Sequence, residues 1–239
     1  MTRIRARLSR APAPDVVAAQ FVLRGRSRGC AELLDPEGKD VLNVGASIGW
    51  FERYALQHGA RTVIAIDVSA ANLGVAQSFA PGATFVHGSV LDLPFPAESF
   101  DAVAMFDVLE HLPSGTEARA LQEIRRVLRP SGKLALSTPH RHWLSTYLDP
   151  AFYFGHRHYS RAEVTKVLSQ TGFVIDRERI CGRAFDLLDL LLYYAWRHLR
   201  GRERHPFDSV RRRADREWQE DQGWNSLLVL AHASMAGST

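Results

Sequence analysis

The segment VLNVGASIGWF, from Val41 to Phe51, constrains the fold of this chain more than any other stretch. A short apolar run suited to a buried strand enters a turn holding Gly45 and Gly49, and the turn opens a helix. Glycines let the backbone turn tightly and bring main-chain N–H groups close to a ligand. A second apolar run, Val63 to Ile66, ends on one acidic residue, Asp67. A carboxylate at the tip of that strand can accept hydrogen bonds from both hydroxyls of a ribose. Strand, glycine turn, helix and acid-tipped strand together read as a nucleoside-binding α/β unit.

The turn argues against a dinucleotide. The pyrophosphate fingerprint is G-x-G-x-x-G, but here Ser47 replaces the middle glycine and Trp50 the last. An indole in the first helical turn crowds the place a pyrophosphate must approach. S-adenosylmethionine carries no phosphate and suits the turn better. Taken alone, the turn also fits an ordinary strand-turn-helix with no ligand.

The next segment, HGSVLDLPFPAESFDAVAMFDVLEHL (His87 to Leu112), decides between these. Leu93-Pro94-Phe95, Phe100-Asp101, Asp107 and Leu109-Glu110-His111 follow one another in order. Further on come VLRPSGKLALSTPHR (Val127 to Arg141) and HRHYSRAEVTKVLSQTGFVI (His156 to Ile175). From about Asp40 to Ile175 the chain resembles the class I S-adenosylmethionine-dependent methyltransferases, in particular the small-molecule branch with the ubiquinone-pathway O-methyltransferases. The resemblance implies a Rossmann-like seven-stranded, mostly parallel sheet with helices on both faces and the last strand antiparallel between strands five and six. It places Gly45 and Gly49 beside the methionine and ribose portions of the cofactor, with Ala46, Ser47 and Val68 around them. Asp67 takes the ribose diol, Ser89 and Val90 meet the adenine edge, and Phe106 and Asp107 face the methionine amino group and the methyl. Four residues depart from the family pattern, Asp107 among them in place of a Glu. Asn43 and Ser89 stand where acidic residues are usual, and Ser131 replaces a glycine.

Strand-helix alternation by itself predicts a parallel sheet covered on both faces. Strands are expected near Asp40–Val44, Thr62–Ile66, Thr84–Val86, Ala102–Phe106, Lys133–Ser137, Val174–Glu178 and Leu227–His232. Ser69 reads as an N-cap, and Ser160 with Glu163 as a capping box. Four regions follow: 1–39, a basic tail (Arg3, Arg5, Arg7, Arg10, Pro12, Pro14) and lid helices; 40–181, the cofactor-binding core; 182–224, a helical insertion; 225–239, the last strand. With 46% hydrophobic residues the chain can build a sizeable core,. No run is long enough to span a bilayer, no signal peptide is evident, and two cysteines are too few for a disulfide framework,. A cytoplasmic location, with peripheral contact at the inner membrane as an option, is the expectation.

In the insertion, AFDLLDLLLYYAWRHLR (Ala184 to Arg200) puts Leu187, Leu188, Leu191, Leu192, Ala195 and Leu199 on one helical face, with Asp186, Asp189 and Arg197 opposite,. So apolar a face needs a cover: its own domain, a second copy in a homodimer, a substrate tunnel, or a membrane surface, which the arginines from Arg200 to Arg213 would suit.

Transfer to a neutral hydroxyl needs a base or a Lewis acid. His111 is the leading base, with Asp107 beside it and His140 as the loop alternative; His142, His156 and His158 are further loop histidines. Asp107, Glu110 and His111 also have the spacing of a divalent-metal element in the resembled family. The expected reaction is methyl transfer to a small-molecule acceptor, a hydroxyl of a secondary metabolite, sugar or lipid-linked intermediate. An RNA methyltransferase would suit the arginines, but the net charge is only +4 and the N/D-P-P-Y element is absent, so no specific nucleic-acid partner is expected. A non-catalytic cofactor-binding module at a membrane is the remaining alternative.

Overall fold

The computed structural model describes residues 21–200, 207–220 and 222–234. The arginines and prolines expected to form the basic tail, Arg3 to Pro14, lie outside them, as do Arg202 and Arg204. Seven strands form one sheet: β1 (Asp40–Val44), β2 (Thr62–Asp67), β3 (Thr84–His87), β4 (Phe100–Phe106), β5 (Leu128–Pro139), β6 (Phe173–Cys181) and β7 (Ser226–Ala233). Their order is β3-β2-β1-β4-β5-β7-β6. β7 is antiparallel to both its neighbours, and the other pairs are parallel.

The alternation of side chains along each strand sorts the core into two layers. Leu42, Val103, Met105, Leu134, Leu136 and Leu227 face α4 (Glu117–Val127) and α6 (Arg161–Gln170). Val41, Ala102, Ala104, Ala135 and Leu228 face α1 (Gly25–Ala31) and α2 (Trp50–Gln57). The alanines on the second face make room for Phe51, which is fully buried. Ser69 caps α3 (Ala70–Phe79) by accepting from the Asn72 N–H, and Ser160 with Glu163 forms the capping box that starts α6.

β5 begins five residues earlier than its apolar run suggests. It continues straight from α4 through a register shift opposite Phe100 and Ala102. Ser131, at the family's glycine position, takes φ +61° to make that bend. Two short elements lacked a periodic signal, α5 (Trp143–Leu148) and a 3-10 turn (Pro150–Phe154). Their apolar side chains face outward: Trp143, Tyr147 and Tyr153 are 70%, 63% and 67% exposed.

The insertion folds as α7 (Ala184–Arg200) packed on α8 (Asp208–Glu217). Its helical phase differs from the expected one. Leu187 is buried, but Leu188 is exposed, and Asp186 turns inward. There it accepts hydrogen bonds from Trp218 Nε1 at 2.8 Å and from Asn225 Nδ2. These two donors reward a carboxylate on the inner face. Glu217, at the end of α8, closes the start of α7: Oε2 accepts from the N–H groups of Arg183 at 2.9 Å and Asp186 at 3.0 Å, and Oε1 from Phe185 at 3.2 Å. Cys30 and Cys181 are both buried. Among the described residues no helix is long and apolar enough to cross a membrane.

Candidate active site

The carboxyl ends of β1, β2 and β4 open into a cavity of about 860 Å³. It sits where strand order reverses, between β1 and β4, the usual ligand crevice of an open α/β sheet. The volume is in the range of small-molecule sites.

Gly45 stands at φ +85°, and a Cβ there would lie 2.5 Å from Val108 Cγ2. Only glycine lets the turn after β1 pass the turn after β4 so closely. Asp67, 9% exposed, accepts the Ser47 N–H on Oδ2 at 3.1 Å and the Ser69 N–H on Oδ1 at 2.8 Å. These bonds fix its rotamer and leave lone pairs on both oxygens for further donors. Ser47, Val68, Ser89 and Val90 also line the cavity. Trp50, the residue that speaks against a pyrophosphate, is a wall, stacked on Phe106 with ring centroids 5.8 Å apart.

Two residues expected at the cofactor do not reach the cavity wall. Ala46 is buried against Ala65 and Ala76. Gly49, at φ +83°, has Ala76 so near that a Cβ would sit 2.9 Å from its carbonyl oxygen. Both residues seat α2 against α3, a packing task the sequence pattern does not separate from ligand contact.

The candidate reactive groups lie at the end of β4. Asp107 adopts φ +52° and is held by Ser137, whose Oγ donates to Oδ1 at 2.9 Å. Arg26 of α1 donates to the other oxygen at 3.2 Å. His111 lines the same cavity, at the close of the 3-10 turn Leu109–His111. Its ring meets that of His156 edge-to-face, 4.3 Å between centroids. Burial draws His111 below the ordinary histidine value, against the weaker pull of Asp107 and Asp67. The imidazole is therefore mainly neutral at pH 7 and able to accept a proton.

The metal triad suggested by spacing is not assembled. Glu110 is 3% exposed and turned to Thr138, whose Oγ1 donates to it at 3.2 Å. Burial, then Asp107, raises the Glu110 carboxyl well above its usual value. Among the described residues no group of three such side chains is placed to hold a metal ion. His140, the loop alternative for the base, lies away from this cavity. Its Nδ1 meets the Trp224 carbonyl at 3.1 Å, its N–H donates to Asn225 O, and it is not part of the cavity wall. The extension of β5 to Pro139 carries it over the return of the insertion instead. His142 stacks on Trp224, and His158 is buried against Asp149 and Thr146. Arg26, Ser27 and Cys30 line the cavity without a sequence signal that separates them from the rest of the basic N-terminal region.

Residues 42–136 match the family described as a methyltransferase domain. A probable S-adenosylmethionine-dependent methyltransferase of Mycolicibacterium smegmatis is 35% identical over 140 residues, 58% of this chain and 53% of the relative. A demethylmenaquinone methyltransferase of Chlamydia pneumoniae is 34% identical over 132 residues, 53% of this chain and 54% of the relative. The chain thus spans about half the length of the curated relatives it matches. Among solved structures, an S-adenosylmethionine-dependent methyltransferase of Mesorhizobium loti shares the fold, with TM-score 0.60 at 21% identity, covering 92% of this chain and all of that one (100%). The matched segment is thus similar to methyltransferase domains, and the fold is the Rossmann-like one of the class I S-adenosylmethionine-dependent methyltransferases. The cofactor of that class is S-adenosylmethionine, and the fixed Asp67 carboxylate and the phosphate-excluding Trp50 suit it.

Proposed function

We propose that the protein methylates a hydroxyl of a small-molecule acceptor, with His111 as the base. One observation carries this reading: the His111 imidazole, held below the ordinary histidine value, opens onto the same cavity as the ribose-binding candidate Asp67. A relative that by its name acts on demethylmenaquinone supports a small-molecule acceptor.

Bound there, S-adenosylmethionine would supply a methyl group on a sulfonium, whose departure leaves a neutral thioether. Asp67 would hold the ribose, with Gly45 and Ser47 along the adjoining turn and Ser89 and Val90 toward the base. Phe106 and Trp50 would exclude water from the methyl. His111 would take the acceptor's proton as its oxygen becomes nucleophilic. Arg26 offsets the charge of Asp107, so that burial governs the basicity of His111. The apolar α7 and the N-terminal α1 would border the acceptor, with a second copy or a membrane surface as further covers for α7.

The test is transfer of labelled methyl from S-adenosylmethionine to a panel of phenols, quinols, sugars and RNA. Methylation of a hydroxyl on a small molecule is the expected result. Transfer only to RNA, or cofactor binding with no transfer to any acceptor, would overturn it.

A further inference from the structure

Asn43 is the last residue but one of β1, two residues before Gly45; it lines the cavity and is 3% exposed. Its Nδ2 donates to Oε1 of Glu52 at 2.7 Å. Glu52 belongs to α2 and is fully buried. Beyond this bond, Asn43 Oδ1 and Glu52 Oε2 have no partner. A buried acceptor without a donor is costly, and beside a cavity it marks a place for a ligand's donor.

We propose that Asn43 and Glu52 work as a pair that recognises the cationic methionine end of the cofactor, with Glu52 setting which end of the Asn43 amide is offered to it. The inference rests on the cofactor reading above. An ionised carboxylate can only accept, so it engages Nδ2 and leaves Oδ1 for an ammonium. A protonated Glu52 donates to Oδ1 instead, and the amide turns Nδ2, a donor, toward a ligand group that is itself a donor. The ionised form also places negative charge behind a cationic ligand, where low polarity strengthens the attraction. Asn43 stands where the resembled family usually has an acid. In this chain the charge resides one layer back, in the helix, and acts through an amide.

The position of Glu52 makes it sensitive to pH. Burial, opposed by the Asn43 bond and reinforced by Asp67 at the tip of β2, pushes its carboxyl up to about 7. Asp67 is the charged side chain that faces it; the Asn43 side of the contact is neutral. Cofactor binding should draw the proton off Glu52.

Calorimetry with S-adenosylhomocysteine and with methylthioadenosine, which lacks the amino-acid end, separates the outcomes. Wild type and Glu52→Gln are compared from about pH 6 to about pH 8. Wild type should bind S-adenosylhomocysteine about fivefold more tightly at the higher pH, and Glu52→Gln should lose that gain. Methylthioadenosine should show no such dependence with either protein. The ligand's own titration is common to both proteins and cancels in the comparison. Carboxyl NMR of Glu52 should show its titration moving to lower pH when S-adenosylhomocysteine binds. An equal pH dependence in Glu52→Gln, or the same dependence for methylthioadenosine, would overturn the pair's role. A pH-independent affinity in wild type would overturn it while leaving the cofactor reading intact. Failure of both ligands to bind would overturn both.

Discussion

Asp67 shows how much a single side chain can be asked to do. Two backbone N–H groups already orient it, so a ribose would meet a carboxylate that needs no reordering. Charge-assisted bonds of this kind are worth roughly 1.5–3 kcal/mol each. Asp67→Ala should therefore weaken cofactor binding by at least about tenfold, as calorimetry would show; unchanged affinity would remove Asp67 from the site. His111→Ala should lower kcat by about 10²–10⁴-fold with cofactor affinity nearly intact. Because burial depresses the His111 value, the acid limb of the wild-type rate profile should lie below the ordinary histidine value. Glu52 adds a prediction about stability. Its folded value, about 7, stands above the unfolded value of about 4.3,. The carboxyl therefore costs nothing at low pH, and stability falls as pH rises from the unfolded value through the folded one. Above that window the penalty is about 4 kcal/mol. Glu52→Gln should raise the melting temperature at pH 8 by about 10 °C and leave it unchanged near pH 4, measured by differential scanning calorimetry. The place of Asp67 at the tip of β2, on the cavity wall, was legible because an apolar run ends on it. Ala46, Gly49 and His140 lie off the cavity wall, and the sequence could not show this because packing and ligand contact select the same small or polar residues.

Among the elements, α7 depends on a residue far along the chain. The first N–H groups of a helix have no internal partner, and Glu217 supplies acceptors for two of them and for the one just before the helix, from the last turn of α8. A carboxylate at that end also meets the positive pole of the helix. Glu217→Ala should loosen the insertion by about 2 kcal/mol, seen as faster proteolysis within 182–224, with β1 to β5 protected as before. Faster cleavage spread evenly over the chain would refute the local role. The existence of α7 was legible from its apolar period, but its phase was not. Asp186 looked like part of a wet face until Trp218 and Asn225, distant in sequence, provided buried donors for it. α5 and the following 3-10 turn carried no signal, because their aromatic side chains point outward and follow no core-facing period. The capping box of α6 was legible because it is wholly local.

For the molecule as a whole, the sheet followed from the order of its motifs, including the place of β7. Salt bridges of Arg61 and Arg129 with Asp40 and Asp101 tie the opposite end of the sheet together, leaving the carboxyl ends for the site. Leu188→Asp with Leu191→Asp tests what covers α7. If a second copy covers it, light scattering should show wild-type dimer and mutant monomer; if the acceptor does, turnover should fall with mass unchanged. The junction of the insertion has a further consequence. Cys181 and Ser226 are directly paired across β6 and β7. The chain departs at Gly182 and comes back at Gly223, where the Gly223 N–H bonds Ile180 O and the Trp224 N–H bonds Gly182 O. In effect β6 and β7 are a hairpin whose tip has been opened to admit two helices. Such a cassette can be exchanged through one doorway without re-threading any strand. A lineage, or an engineer, can therefore trade one pair of helices for another while the sheet and the cavity at its carboxyl ends stay as they are.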